Sequence, residues 1–169
     1  MTFIIYSLIL FISFFFFAFI GYGAHWFLHQ EFSGPFYRIH YAHHYREYPP
    51  NDMFSVKYRS SGKDNSIVLF GILFSPVVLG MLAITIFGVI PMVLGILLLI
   101  EMGIVSVLNA TIHDDMHLFE SFWGRFWFFS ELVYKHHIHH QDTSKNLGIF
   151  YFGWDKVFGS FKKDKELPQ

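Results

Sequence analysis

The chain has 169 residues, 53% of them apolar and 21% aromatic, with a mean hydropathy of +0.39 and a formal net charge of -1. A soluble domain of this size cannot hide so much apolar surface, so a membrane is the simpler host, and the length accommodates one domain, residues 1–169. The absence of cysteine removes disulfides, iron–sulfur clusters, thiolate-ligated haem and cysteine-type zinc sites, and the lack of a basic surplus sets nucleic acid aside as a partner.

From about Phe3 to Ile20 no charge interrupts the apolar run, which continues to Ala24 and predicts a spanning helix over about 3–24. No Lys or Arg precedes it and it exceeds the apolar core of a signal peptide, so it is expected to stay in the protein. A second apolar block, Ile67 to Ile112, contains Gly88, Pro91 and Glu101 and fits two spans, about 67–87 and 90–112, joined by a turn so tight that both ends return to one side. All 12 basic residues flank this hairpin. Arg38, Arg46, Lys57, Arg59 and Lys63 precede it, and Arg125, Lys135, Lys145, Lys156, Lys162, Lys163 and Lys165 follow it. The positive-inside rule then places both regions and the C-terminus in the cytoplasm, at a bacterial inner membrane or the endoplasmic reticulum. The aromatic stretch Phe119 to Tyr134 fits the headgroup boundary or a short fourth membrane helix, and Lys162 to Gln169 reads as a frayed polar tail.

All 11 histidines lie in the two flanking regions, in four groups: His25/His29, His40/His43/His44, His113/His117 and His136/His137/His139/His140. Random scatter would give about 0.7 pairs four apart; this sequence has 25/29, 40/44, 113/117 and 136/140. Four apart on a helix means one face, with Cβ atoms about 5–6 Å apart, a separation from which two imidazoles reach one metal or two adjacent ones. In the fourth group His137 and His139 both fit geometrically. The pattern His136-x-x-His139-His140 matches His40-x-x-His43-His44 and selects His139, leaving His137 as a supporting or substrate-side group. Ten crowded imidazoles would repel one another as cations, whereas neutral rings turn the same crowding into coordination of two metals. Nitrogen donors of this kind admit iron, zinc, copper or nickel.

His25-Trp-Phe-Leu-His29, His40-Tyr-Ala-His43-His44, His113-Asp-Asp-Met-His117 and His136-His-Ile-His139-His140 resemble the four histidine boxes of the fatty acid hydroxylase / sterol desaturase superfamily. The order of boxes and spans matches, and the stretch from Asn146 through Trp154-Asp155 to Phe158-Gly159 resembles the family's closing Trp-Asp-x-x-Phe-Gly-Thr motif. The first box has three intervening residues where relatives often have four. The resemblance implies an all-α membrane bundle with a cytoplasmic cap binding two iron ions, with zinc as an ion carried on isolation. It also implies O2 as co-substrate and the ten box histidines His25, His29, His40, His43, His44, His113, His117, His136, His139 and His140 as ligands. Asp114, Asp115 and Asn109 are candidates for orienting those rings. A fatty acyl, sphingolipid or sterol-type lipid is the implied substrate. The compact size and Asn51-Asp52 also resemble carotenoid hydroxylases, which makes a carotenoid ring the alternative. Electrons are expected from a separate protein of cytochrome b5 or ferredoxin type.

Two rivals come from other classes. A histidine-rich metal transporter or store would need ligands near the membrane midplane, and a bis-histidine haem protein would need facing histidines inside the spans. Glu101, the acid within a predicted span, must be paired, protonated or turned inward, and it lies about 18 Å along the helix from His113, too far to ligate with it.

Overall fold

A computed structural model describes residues 2–62 and 66–163. Lys63, Lys165 and the tail beyond Lys163 lie outside the described residues. The chain forms α1 (Thr2–Leu28), α2 (Pro35–Ala42), α3 (Ser66–Ile86), α4 (Met92–Asp115), α5 (Phe129–Gln141) and α6 (Gly153–Phe158), with no strand among the described residues. The helices α1, α3 and α4 are each long and apolar enough to cross a membrane. They are apolar around the whole circumference, so one face packs inward while Phe3, Leu8, Phe11, Leu79 and Val93 point outward, as helices solvated by lipid do.

The inner faces meet through Phe17 of α1, Phe70 and Phe74 of α3, and Leu98, Met102 and Val105 of α4. Helix α1 runs four residues past the predicted end of its span, because Trp26, Phe27 and Leu28 extend the apolar helix beyond Ala24. His25 therefore stands in its last turn. The α3–α4 turn occupies Phe87–Pro91, and the two helices touch closely where Gly95 faces Thr85. Glu101 turns toward α1, where the Ser13 hydroxyl donates to its Oε2. This supplies a polar partner for an acid in hydrocarbon.

Residues 119–134 do not make a fourth span. A short 3-10 turn at Trp123–Arg125 ends at Phe126, whose extended backbone (φ -102°, ψ 133°) breaks the run, and α5 starts only at Phe129. Phe119, Phe122 and Trp127 are exposed, the arrangement of aromatic residues at a headgroup boundary. The C-terminal end of α1, the start of α3 and the C-terminal end of α4 lie together, since Ser66 Oγ is 3.3 Å from His113 Nδ1 and His25 and His113 rings are 5.3 Å apart. Helices α2 and α5 close over this end of the bundle.

Membrane helices gain from close backbone approach at small residues. A Cβ at Gly95 would stand 2.8 Å from the Thr85 Cβ and closer still to its Oγ1 and Cγ2. Gly95→Ala is expected to destabilise the bundle by about 1–3 kcal/mol through overpacking. Adding Thr85→Ala removes the Oγ1 and Cγ2 clashes but keeps the Cβ contact and should recover part of the loss, read as the thermal midpoint of the detergent-solubilised protein.

Candidate metal centre

The ten box imidazoles converge in one interior cluster. Nine are buried, and His29 is partly exposed. They divide into two groups whose nearest ring nitrogens all lie within 4.8 Å of one another: His25, His29, His40, His44 and His139 (centre A), and His43, His117, His136 and His140 (centre B). The i, i+4 spacing explains most of this division. His25/His29 and His40/His44 each point one helix face at centre A, and His136/His140 do the same for centre B. His43 and His139 sit a quarter turn off those faces and serve the opposite centre. The second and fourth boxes thus each give two rings to one centre and one to the other.

The two centres touch. His44 and His140 rings stack at 3.9 Å, and His40 and His43 rings at 5.3 Å. The tenth ring, His113, lies against centre B, 4.6 Å from His43 and 4.8 Å from His136 between centroids. At His43 the helix widens into a π-turn over His43–Glu47, closed by the Tyr48 N–H donating to the His43 carbonyl at 3.0 Å. Such turns recur at functional sites because they redirect side chains without ending the helix.

The rings are oriented from outside. His25 Nδ1 donates to the Leu147 carbonyl at 2.7 Å, His139 Nδ1 to the Lys145 carbonyl at 2.7 Å, and His140 Nδ1 to the Tyr48 carbonyl at 3.0 Å. A neutral imidazole that donates through Nδ1 has a free lone pair on Nε2, which is the atom turned inward. The Tyr48 ring stacks on His117 at 4.1 Å and walls centre B. Neither Tyr48 nor the carbonyls of Lys145 and Leu147 figure among the sequence candidates.

The remaining candidates are placed differently. Asp114 approaches His113, Oδ1 to Nδ1 at 3.6 Å, whereas Asp115 accepts from Ser121 Oγ at 2.8 Å. Asn109 is buried beside Gly21 of α1 and donates to the Val105 carbonyl, which makes it a helix-packing contact. His137 stands outside both groups, its Nε2 3.0 Å from the Gln141 amide nitrogen.

The donor set fits cations. His40 Nε2 faces the Nε2 atoms of His25, His29 and His44 at 3.1, 3.1 and 3.2 Å, yet a ring nitrogen holds one proton or one lone pair and cannot satisfy three neighbours. His113 Nε2 and His140 Nε2 are buried with no hydrogen-bond partner. A metal ion in each group would engage the crowded Nε2 of His40 and the unpartnered Nε2 of His140. Both histidine clusters are consistent with metal binding.

The family model for fatty acid hydroxylase matches residues 10–160, which contain all four boxes and the closing motif. The chain belongs to the fatty acid hydroxylase family. No curated protein matches it, nor does any solved structure. Membership in the fatty acid hydroxylase family supports a hydroxylase- or desaturase-type oxygenase acting on lipid, and so an oxidoreductase.

Burial keeps the cluster neutral. His29 is held down to about 4 and His140 to about 3, first because burial penalises the cation and then because other imidazoles crowd it. His40, His43, His44, His117, His136 and His139 are pushed well below 6.5 for the same reasons. Each folded value lies below the ordinary 6.5, so the unfolded chain takes up protons first, and the stability these rings contribute is present above pH 6.5 and lost as pH falls toward 4 and 3. The thermal midpoint of metal-free protein should therefore drop steadily between pH 7 and pH 4.5, about the range these pKa values span. A flat profile would contradict a neutral buried cluster.

Proposed function

We propose that this fatty acid hydroxylase family member is a di-iron membrane oxygenase that hydroxylates or desaturates an unactivated C–H bond of a bilayer lipid. The carrying observation is the pair of adjoining, inward-facing imidazole groups at one end of three apolar helices. Centre A would be held by His25, His29, His40, His44 and His139, and centre B by His43, His117, His136 and His140 with His113 beside them. Iron bound there would supply the activation of O2 and the oxidising power for the C–H bond.

The chain's own contribution is binding, orientation and exclusion of water. The Nδ1 hydrogen bonds of His25, His139 and His140 fix which nitrogen faces the metals, and the burial of nine rings keeps bulk water from reactive species. An open, mostly apolar groove of about 480 Å3, lined by Leu108, Ile112, Phe128, Leu132 and Phe150 together with the Glu131–Lys135 ion pair, lies on the helices α4 and α5 that carry the third and fourth boxes. Ile112 precedes His113 and Leu132 lies one turn before His136, so an acyl, sphingolipid or sterol-type molecule held there would bring a carbon toward the site from the bilayer. The site is read as cytoplasmic from the distribution of Lys and Arg, with electrons from a separate protein of cytochrome b5 or ferredoxin type.

A transporter reading places ligands near the midplane of the spans. Here His25 and His113 stand in the last turns of α1 and α4.

The test compares lipids from cells expressing the wild type and His43→Ala/His44→Ala, which strikes both centres, under 18O2. A labelled product confined to the wild type is expected for a hydroxylase, and an unlabelled loss of two hydrogens for a desaturase. Identical lipid and pigment pools, with the wild type expressed and metal-loaded, would sink the proposal.

A further inference from the structure

We infer that Asp155 is a positioning residue for centre A, acting on His25 through an intervening peptide group in a carboxylate–peptide–imidazole relay. The inference rests on the two-metal reading above.

The relay can be followed atom by atom. His25 Nδ1 donates to the Leu147 carbonyl at 2.7 Å. The same peptide unit carries the Gly148 N–H, which donates to Asp155 Oδ2 at 2.8 Å. Asp155 is fully buried, and its Oδ1 accepts from the Leu147 N–H at 2.7 Å and from Ser160 Oγ at 2.7 Å. Metal-bound histidines commonly donate their outer N–H to a carboxylate or a carbonyl, which fixes the ring and raises its donor strength. Here the carbonyl is itself polarised by a carboxylate on the far side of its peptide, and hydrogen bonds in such a chain reinforce one another at low dielectric.

A second branch supports His139 from the same turn. His139 Nδ1 donates to the Lys145 carbonyl at 2.7 Å, and the N–H of that peptide, on Asn146, donates to the Ser160 carbonyl at 2.9 Å. The Ser160 N–H in turn donates to the Asp155 carbonyl at 2.9 Å. Asn146 holds a left-handed conformation (φ 50°) and is fully buried. Its side-chain amide donates to the carbonyls of Lys135 and Lys162 at 3.2 and 3.0 Å, and its Oδ1 accepts from the Lys162 N–H at 2.9 Å. The segment Lys145–Gly148 is thus clamped from two sides, and both imidazoles that it orients belong to centre A.

Gly148 is what allows the carboxylate so near. A Cβ there would stand 2.5 Å from the Tyr151 carbonyl oxygen and 2.6 Å from Asp155 Oδ2. An alanine would push the peptide off the carboxylate while leaving Asp155 in the chain.

The test uses zinc alone as the probe, titrated into purified full-length protein, with stoichiometry and affinity as readouts. Wild type is expected to take two ions per chain; failure to do so would overturn the two-metal reading before any Asp155 variant is examined. Asp155→Asn is then made in two backgrounds, His117→Ala, which spoils centre B, and His44→Ala, which spoils centre A. Weakening of the surviving ion by about 10–100-fold, the usual cost of losing such an outer partner, is expected with His117→Ala and none with His44→Ala. Equal weakening in both backgrounds, as a general loss of structure would give, or no weakening in either, overturns the relay. Should Asp155→Asn fail to fold, Gly148→Ala in the same two backgrounds decides by the same criterion.

Discussion

The constraint on which this architecture depends is that ten imidazoles crowd into one largely buried cluster. In water such rings would each take up a proton near neutral pH, but burial and mutual repulsion push those outside the spans far below that range. Neutral rings still carry one lone pair each, and lone pairs pointed at one another also repel. The fold accepts both costs and fixes the inward nitrogen of three rings through carbonyls behind them. Crowding that would disrupt an ordinary core is here consistent with a site for metal ions.

The three long helices explain why the cluster can be so dense. Their outward faces are apolar, as in helices able to cross a membrane, so most of the polar chemistry gathers at one end, where α1 and α4 end beside the start of α3. Helix α2 with the π-turn that follows it, and α5, then cross that end, each segment carrying a three-histidine box. Because His43 and His139 serve the centre opposite to their neighbours, the segment of α2 and its π-turn and the helix α5 each give rings to both centres. The cap is cross-braced rather than divided into halves.

Much of this was legible in the sequence, for physical reasons that can be named. The i, i+4 pairs identify shared helix faces, and the match between the second and fourth boxes points to His139, which lies in the cluster, rather than His137, which lies outside it. The three apolar runs mark helices whose ends differ from expectation by a few residues, since α1 continues through Trp26 to Leu28. The allocation of rings between centres was not legible, because it depends on how α2 and α5 cross. The carbonyls of Lys145, Leu147 and Tyr48 were invisible for a different reason, since every residue has one and only the folded path brings it to a ring. Asn146, Gly148 and Asp155 left a fainter signal, as polar or small residues in an aromatic stretch that gains nothing from them unless they hold the backbone. The headgroup-level aromatic stretch could be read as a fourth span because composition alone does not reveal the break at Phe126.

The order of the boxes along the chain bears on how the protein is made. Four of the five rings of centre A belong to the first 44 residues, whereas His117, His136 and His140 of centre B follow the membrane hairpin. A nascent chain therefore presents four of the five centre A imidazoles before α3 and α4 exist to pack beside them. Only when the last box and the Asn146–Ser160 clamp emerge can His139 complete centre A. Completion of centre A thus waits on the last segment to be synthesised, which carries both His139 and the backbone that orients it.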